Sequence, residues 1–241
     1  IGINSLGYIG RFLPVPEGTF RAAAFLPWKV DEELGAWHRE DPGDPAFYSV
    51  LVDPAIPSLE QLLGDTALTS GDLIDTGEIA PEVRDLALSV TAEHEGPAAK
   101  ALALQQWFTD PANGFVYSLR VPEGTSGDLL LDFLQLRRGY CEQYASAMAV
   151  MLRTLDIPAR VAIGFGSGST DANGLTTITS HNAHAWVEVL FDGAGWVRFD
   201  PTPGGGGQGG QDAPGITGLP PAPGGAATQP GEGEGEGGEA D

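Results

Sequence analysis

The chain holds one cysteine, Cys141, in the run Arg138-Gly139-Tyr140-Cys141-Glu142, and two of its four histidines, His181 and His184, lie downstream of it. Further on comes Trp196-Val197-Arg198-Phe199-Asp200-Pro201. A cysteine, a histidine and a carboxylate together can perform nucleophilic catalysis. The thiol attacks a carbonyl as thiolate, an imidazole takes the proton, and a buried carboxylate orients the imidazole. Cys141 suits the nucleophile on local grounds. Gly139 breaks the chain just before it, and Tyr144, Met148, Met151, Leu152 and Leu155 then recur at helical spacing as far as Ile157-Pro158. Cys141 falls on that apolar stripe, in the first turn of the helix. There unpaired backbone N–H groups and about half a positive charge favour an anion, and the same N–H groups could stabilise an oxyanion.

His184 is the preferred base because it begins an alternating strand, Ala183 to Phe191, whereas His181 sits in the polar approach and stays the alternative. Asp200 closes a second strand, and Pro201 ends the ladder there. A hairpin around Asp192-Gly193 with a loop from Phe191 to Gly195 sets Asp200 opposite Trp186 and diagonal to His184.

Other elements must carry these groups. Pro81 opens a helix with Val83, Leu86, Ala87 and Val90 on one face, and a second follows Gly96-Pro97 and stops at Asp110-Pro111. Phe115, Tyr117 and Leu119 alternate as a half-buried strand, and Asp128 caps a short apolar helix from Leu129 to Leu134. Val161, Ile163 and Phe165 alternate as a strand before a Gly/Ser loop at 166–174. Residues 1–78 read as a small β-rich lobe, with strands expected at Tyr8–Leu13, Thr19–Phe25 and Phe47–Val52 and a helical turn at Leu59–Leu63. Prolines at 14, 16, 42, 45, 54 and 57 argue against long central strands in it. Residues 79–203 form the core, and 204–241, almost entirely Gly, Pro, Gln, Ala and Glu, read as a disordered linker.

Composition sets limits. Apolar residues make up 41% of the 241, enough for a packed core. The net charge is −21, and with six acidic and no basic residues beyond Pro201, residues 1–201 keep 27 acids against 12 bases. Such a surface repels nucleic-acid phosphates and anionic lipids, which excludes nucleic acid as a partner. One cysteine makes no internal disulfide. No apolar run is long enough to span a bilayer, and the start at Ile1 suggests a piece of a longer protein.

Gly139-Tyr140-Cys141-Glu142, Ile157-Pro158-Ala159-Arg160-Val161, Gly164-Phe165, His184-Ala185-Trp186-Val187-Glu188-Val189 and Gly195-Trp196-Val197-Arg198-Phe199-Asp200-Pro201-Thr202 resemble the core of the transglutaminase-like superfamily. Within it the likeness is to bacterial membrane-anchored proteins of the TgpA type. The motifs cover about residues 127–203, with weaker support from 80; each is modest alone, and their order and spacing are specific. The resemblance implies an α+β, papain-like core in which the nucleophile heads a helix packed on an antiparallel sheet. It also implies Cys141 as nucleophile, His184 as general base and acid, and Asp200 as orienting carboxylate. It places the domain on the extracytoplasmic face of a bacterial membrane, in a membrane-anchored parent.

No cofactor is implied, and no motif matches the calcium sites of animal transglutaminases. The family's side-chain oxyanion donor is unmatched. Gln135, six residues before Cys141, has papain-like spacing and is a candidate. Tyr140, Glu142 and Trp186 are candidates for lining a substrate cleft, although Glu142 also suits a helix N-terminus and Trp186 a cleft wall or core. Arg137 and Arg138 would either raise the potential near the thiolate or pair with surface acids. Three functions stay open: acyl transfer on protein or peptide carboxamides through a thioester, a cysteine peptidase or amidase acting on cell-wall or protein peptides, and a non-catalytic interaction domain.

Overall fold

The computed structural model describes residues 1–25, 27–31, 34–53, 56–68 and 71–206, so the expected linker falls, from residue 207 on, outside the described residues. The chain divides into two compact units, the first running from Ile1 to Gln61 and the second beginning at Leu62. In the first, strands β1 (Gly2–Asn4), β2 (Gly10–Phe12), β3 (Thr19–Ala24), β4 (Lys29–Asp31), β5 (Ala36–Gly43) and β6 (Phe47–Val52) pair as two antiparallel sheets, in the orders β1-β6-β3 and β2-β5-β4. Tyr48 and Val50 of β6 point inward and pack with Leu13 as a small core, against which Ala22, Ala24, Trp28 and Trp37 rest.

Two of the expected strands are present as β3 and β6, and the one expected at Tyr8–Leu13 shortens to β2. Strand β5 contains Pro42, which argued against a strand. It survives because the β2–β5 register slips between the Gly10–Gly43 and Phe12–His38 pairs, so Pro42 lies where no ladder N–H is required.

Helix α1 (Leu59–Leu63) leads into the second unit. There follow α2 (Gly71–Ile74), α3 (Pro81–Val90), α4 (Pro97–Thr109), β7 (Val116–Tyr117), α5 (Leu129–Leu136), β8 (Arg138–Gly139) and α6 (Cys141–Arg153). Strands β9 (Ala159–Phe165), β10 (Ser169–Thr170), β11 (Thr176–Thr177), β12 (Ala183–Phe191) and β13 (Gly195–Phe199) complete it. Pro81 and Pro97 each open their helix, where a missing N–H costs nothing. Asp128 caps α5 by accepting from the N–H groups of Leu130 and Leu131 at 2.8 and 3.0 Å.

The main sheet has the antiparallel order β13-β12-β9, and α6 lies against β12 and β9. This mixture of helices with an antiparallel sheet is an α+β fold. Ala185, Val187, Val189 and Phe191 face inward from β12, as do Val197 and Phe199 from β13; all six are buried. Around Tyr144 of α6, Phe108, Phe115 and Phe133 complete an aromatic cluster, with the Phe133 and Tyr144 rings edge-to-face at 4.9 Å. Helix α6 was expected to run to Ile157 but ends at Arg153. Asp156 enters the left-handed region (φ 59°), and the Ile157 N–H turns back to the Leu152 carbonyl at 3.1 Å.

Among the described residues no helix is long and apolar enough to cross a membrane. Phe108 is fully buried in the aromatic cluster. Phe108→Ala is expected to lower stability by about 3–5 kcal/mol, measured by urea denaturation.

Candidate active site

Cys141 is the first residue of α6, at the end of the helix nearest β12. Strand β12 has nine residues and β13 five, and their pairing starts only at Val187–Phe199. Residues 183–186 of β12 therefore pair with β9 on one side, and among the described residues no strand pairs with their opposite edge. Backbone N–H groups alternate between the two sides of a strand. Leu190 donates toward β9, to the Pro158 carbonyl at 3.1 Å, so Ala185 points its N–H at the open edge. The Cys141 sulfur occupies that edge and interacts with the His184 ring, the Ala185 N–H and the Glu142 N–H.

His184 is buried, and its Nε2 lies 2.6 Å from Asp200 Oδ2. Asp200 follows β13 directly. Extending the observed register by one position sets it level with Trp186, as the hairpin parity requires. Asp200 is held on several sides: Thr202 donates its N–H to Oδ1 at 3.1 Å, Arg198 Nη2 reaches Oδ2 at 3.3 Å, and its own N–H donates to Gln105 Oε1 at 2.8 Å.

The charges follow from this geometry. Burial opposes ionisation of Cys141, but the hydrogen bond to His184, the Ala185 N–H, the imidazolium charge and the Glu142 N–H outweigh it and lower the thiol's pKa. Burial likewise opposes the imidazolium. Hydrogen bonds to Asp200 and to Cys141, with the charges of both, overcome it and raise the His184 pKa to about 9. The arrangement favours a thiolate–imidazolium pair backed by a carboxylate.

Residues 84–201 match the family model described as the transglutaminase-like superfamily. The chain is 40% identical over 124 residues to a protein-glutamine gamma-glutamyltransferase of Pseudomonas aeruginosa, and 37% identical over 131 residues to the uncharacterized protein YebA of Bacillus subtilis. Each alignment takes in 51% of this chain, and the chain spans only 18% and 17% of those two proteins. The crystal structure of the periplasmic domain of TgpA from Pseudomonas aeruginosa superposes with a TM-score of 0.60 at 28% identity, over 80% of this chain and 65% of that one. Residues 84–201 belong to the transglutaminase-like superfamily.

The transglutaminase-like domain brings together Cys141, His184 and Asp200, and it sets the other sequence candidates at varied distances from them. Tyr140 caps α6, its N–H donating to Gln143 Oε1 at 3.2 Å, and is half-buried beside the thiol. Glu142 exposes its side chain and offers the sulfur its backbone N–H. The ring of Trp186 is stacked on that of His184, 27° from parallel with centroids 6.3 Å apart; its Nε1 donates to Glu188, and the Arg198 guanidinium lies over it, 4.3 Å from the ring centre. Gln135 is exposed on the last turn of α5 and, among the described residues, has no hydrogen bond to any of the three. His181 is exposed in a short 3-10 turn. Arg137 donates to the Asn113 carbonyl at 2.5 Å and lies over the Trp107 and Phe115 rings, a role expected of neither reading of it.

Sequence reasoning missed Arg198 and Gln105. Arg198 could have been found, since it lies two residues before Asp200 and so shares its sheet face. Gln105, on α4, carried no signal. Among the described residues no cluster of three or more His, Cys, Asp or Glu side chains could hold a metal ion.

Asp200 raises the His184 pKa, so removing its charge must lower it. Asp200→Asn is expected to narrow, from the alkaline side, the pH range over which Cys141 acts with an imidazolium partner. Cysteine-dependent turnover of the parent should fall with a midpoint near the His184 value of about 9, and that of the variant at a lower pH. Turnover measured from pH 5 to 10 checks both.

Proposed function

We propose that the domain transfers acyl groups from protein or peptide carboxamides through a thioester on Cys141. The observation carrying this reading is the short His184–Asp200 hydrogen bond beside a cysteine that heads a helix. His184 commits Nε2 to Asp200, so Nδ1 is the nitrogen that exchanges a proton with the thiol. Cys141 adds to the carboxamide carbon, and the imidazolium then protonates the leaving nitrogen. Ammonia departs as the thioester forms. A primary amine attacking the thioester gives a new amide and frees the thiol; water gives the acid.

The cross-linking form of the reaction draws support from the named activity of the Pseudomonas relative, a protein-glutamine gamma-glutamyltransferase. An acidic surface suits a cationic amine donor, such as a lysine side chain. Likeness to a periplasmic domain supports placing this domain on the extracytoplasmic face of a bacterial membrane, within a longer membrane-anchored protein.

Incubation with a glutamine-containing protein and a fluorescent primary amine tests the reading. Amine incorporation is expected, and Cys141→Ala should abolish it while His184→Ala lowers it by about 10²-fold or more. Release of ammonia without incorporation would replace transfer by hydrolysis. Iodoacetamide labelling of Cys141 with the pH dependence of an ordinary thiol would end the enzymatic reading altogether.

A further inference from the structure

Asp200 stands one position past the last pair of the β12–β13 ladder, so no strand holds its backbone there. Phe199 faces β12 as the partner of Val187, whose N–H and carbonyl point at β13. Alternation then turns the Asp200 N–H to the outer edge of β13, away from every carbonyl of β12. Pro201, next in the chain, has no N–H to add. The acceptor for Asp200 is Gln105 Oε1 of α4, at 2.8 Å.

Gln105 comes from a helix that also braces the nucleophile. Its neighbours Ala101, Leu104 and Phe108 on α4 are fully buried. The Phe108 ring meets the ring of Tyr144, three residues after Cys141 on α6, edge-to-face at 6.0 Å. Within one turn, therefore, α4 touches both the helix that carries the thiol and the residue that carries the carboxylate. His184 lies between these two groups and bonds to both.

The geometry there has little slack. His184 Nε2 is 2.6 Å from Asp200 Oδ2. A drift of about 1 Å by the carboxylate would take that pair out of hydrogen-bonding range. The charged groups against the His184–Asp200 pair are Cys141 from α6 and Arg198 from β13, and α4 brings the uncharged Gln105. Burial lowers the His184 pKa, and the bond to Asp200 is the first of the effects that overcome it. A carboxylate that drifts thus leaves the ring easier to deprotonate.

We propose that Gln105 is a positioning residue for acyl transfer: by accepting the Asp200 N–H it keeps the carboxylate on His184 Nε2. The proposal rests on the acyl-transfer reading and adds a residue to it. When the tetrahedral intermediate collapses, the C–N bond breaks, the thioester carbonyl re-forms and the imidazolium gives its proton to the leaving nitrogen. Gln105 touches neither substrate nor thiol. It acts through Asp200, which holds that proton on the ring until it is needed.

Three substitutions separate this role from simple packing. Gln105→Met keeps the side-chain length and removes the acceptor; Gln105→Asn keeps the amide and falls short; Gln105→Glu keeps an acceptor at the same reach. NMR titration of the His184 ring, its signal identified by its loss in His184→Ala, reads the positioning without any substrate. The parent midpoint is expected near about 9, lower in the Met and Asn variants, and no lower than the parent in the Glu variant. Unshifted signals from His38, His94 and His181 show that each variant has folded. Incorporation of a fluorescent primary amine into casein reads the reaction. Its kcat is expected to fall about tenfold or more in the Met and Asn variants, with KM for casein within about threefold, while Gln105→Glu stays within about threefold of the parent.

An unchanged His184 midpoint in the Met and Asn variants would overturn the proposal, as would an unchanged kcat, even if both variants melted at lower temperature. So would a Gln105→Glu variant that falls with them, since the acceptor would then not be what matters. A parent chain that incorporates no amine would sink the acyl-transfer reading instead. The NMR titration stands apart from that result and still decides whether Gln105 holds Asp200 at the imidazole.

Discussion

The site depends on a mismatch in strand length. Strand β12 outruns β13, and the edge this leaves is where the sulfur of α6 meets a strand N–H and a strand histidine. Were β13 four residues longer, it would pair with residues 183–186 and cover the Ala185 N–H. Pro201, directly after Asp200, suits the end of the ladder, since it brings no N–H to extend it. One chain termination thereby opens the edge for the thiol and delivers the carboxylate to the imidazole.

Gathering ionisable groups at this edge carries a desolvation cost, which the surroundings offset by shared contacts. Asp200 Oδ2 serves both His184 and Arg198, and Thr202 and Gln105 hold the rest of the residue. Arg198 is itself buried, and lies over Trp186, which stands close to the His184 ring. A second pair, Arg160 and Glu188 at 2.8 Å, extends the same face of the sheet, and Arg160 lies 3.8 Å from the Trp196 ring centre. Arginine guanidinium groups lie over indole rings along this face. The imidazole is consequently held by its neighbours in one orientation.

Much of this was legible in the chain itself. The helical stripe after Gly139 put Cys141 in the first turn of a helix, and hairpin parity put Asp200 level with Trp186; both follow from periodicities that local sterics impose. The first unit was less legible. Its strands β1 and β4 are three residues each, too short to display a period, and β5 hides behind Pro42 because a register slip excuses the proline from the ladder. Arg137 misled for a related reason. Its charge suggested an electrostatic part, but a left-handed backbone at φ 51° turns its guanidinium to a carbonyl and two aromatic rings.

By itself the sequence determined which residue types could react and which face of which element each would occupy, because helix and strand periods are properties of neighbouring residues. Only the tertiary structure decided that Gln105 of α4 reaches the backbone of Asp200, that the Ala185 N–H is left over for the sulfur, and that Tyr117 pairs with Gly139. Those relations join segments far apart in the chain. Packing sets them, through where strands end and how a helix seats on them, and no local pattern encodes that.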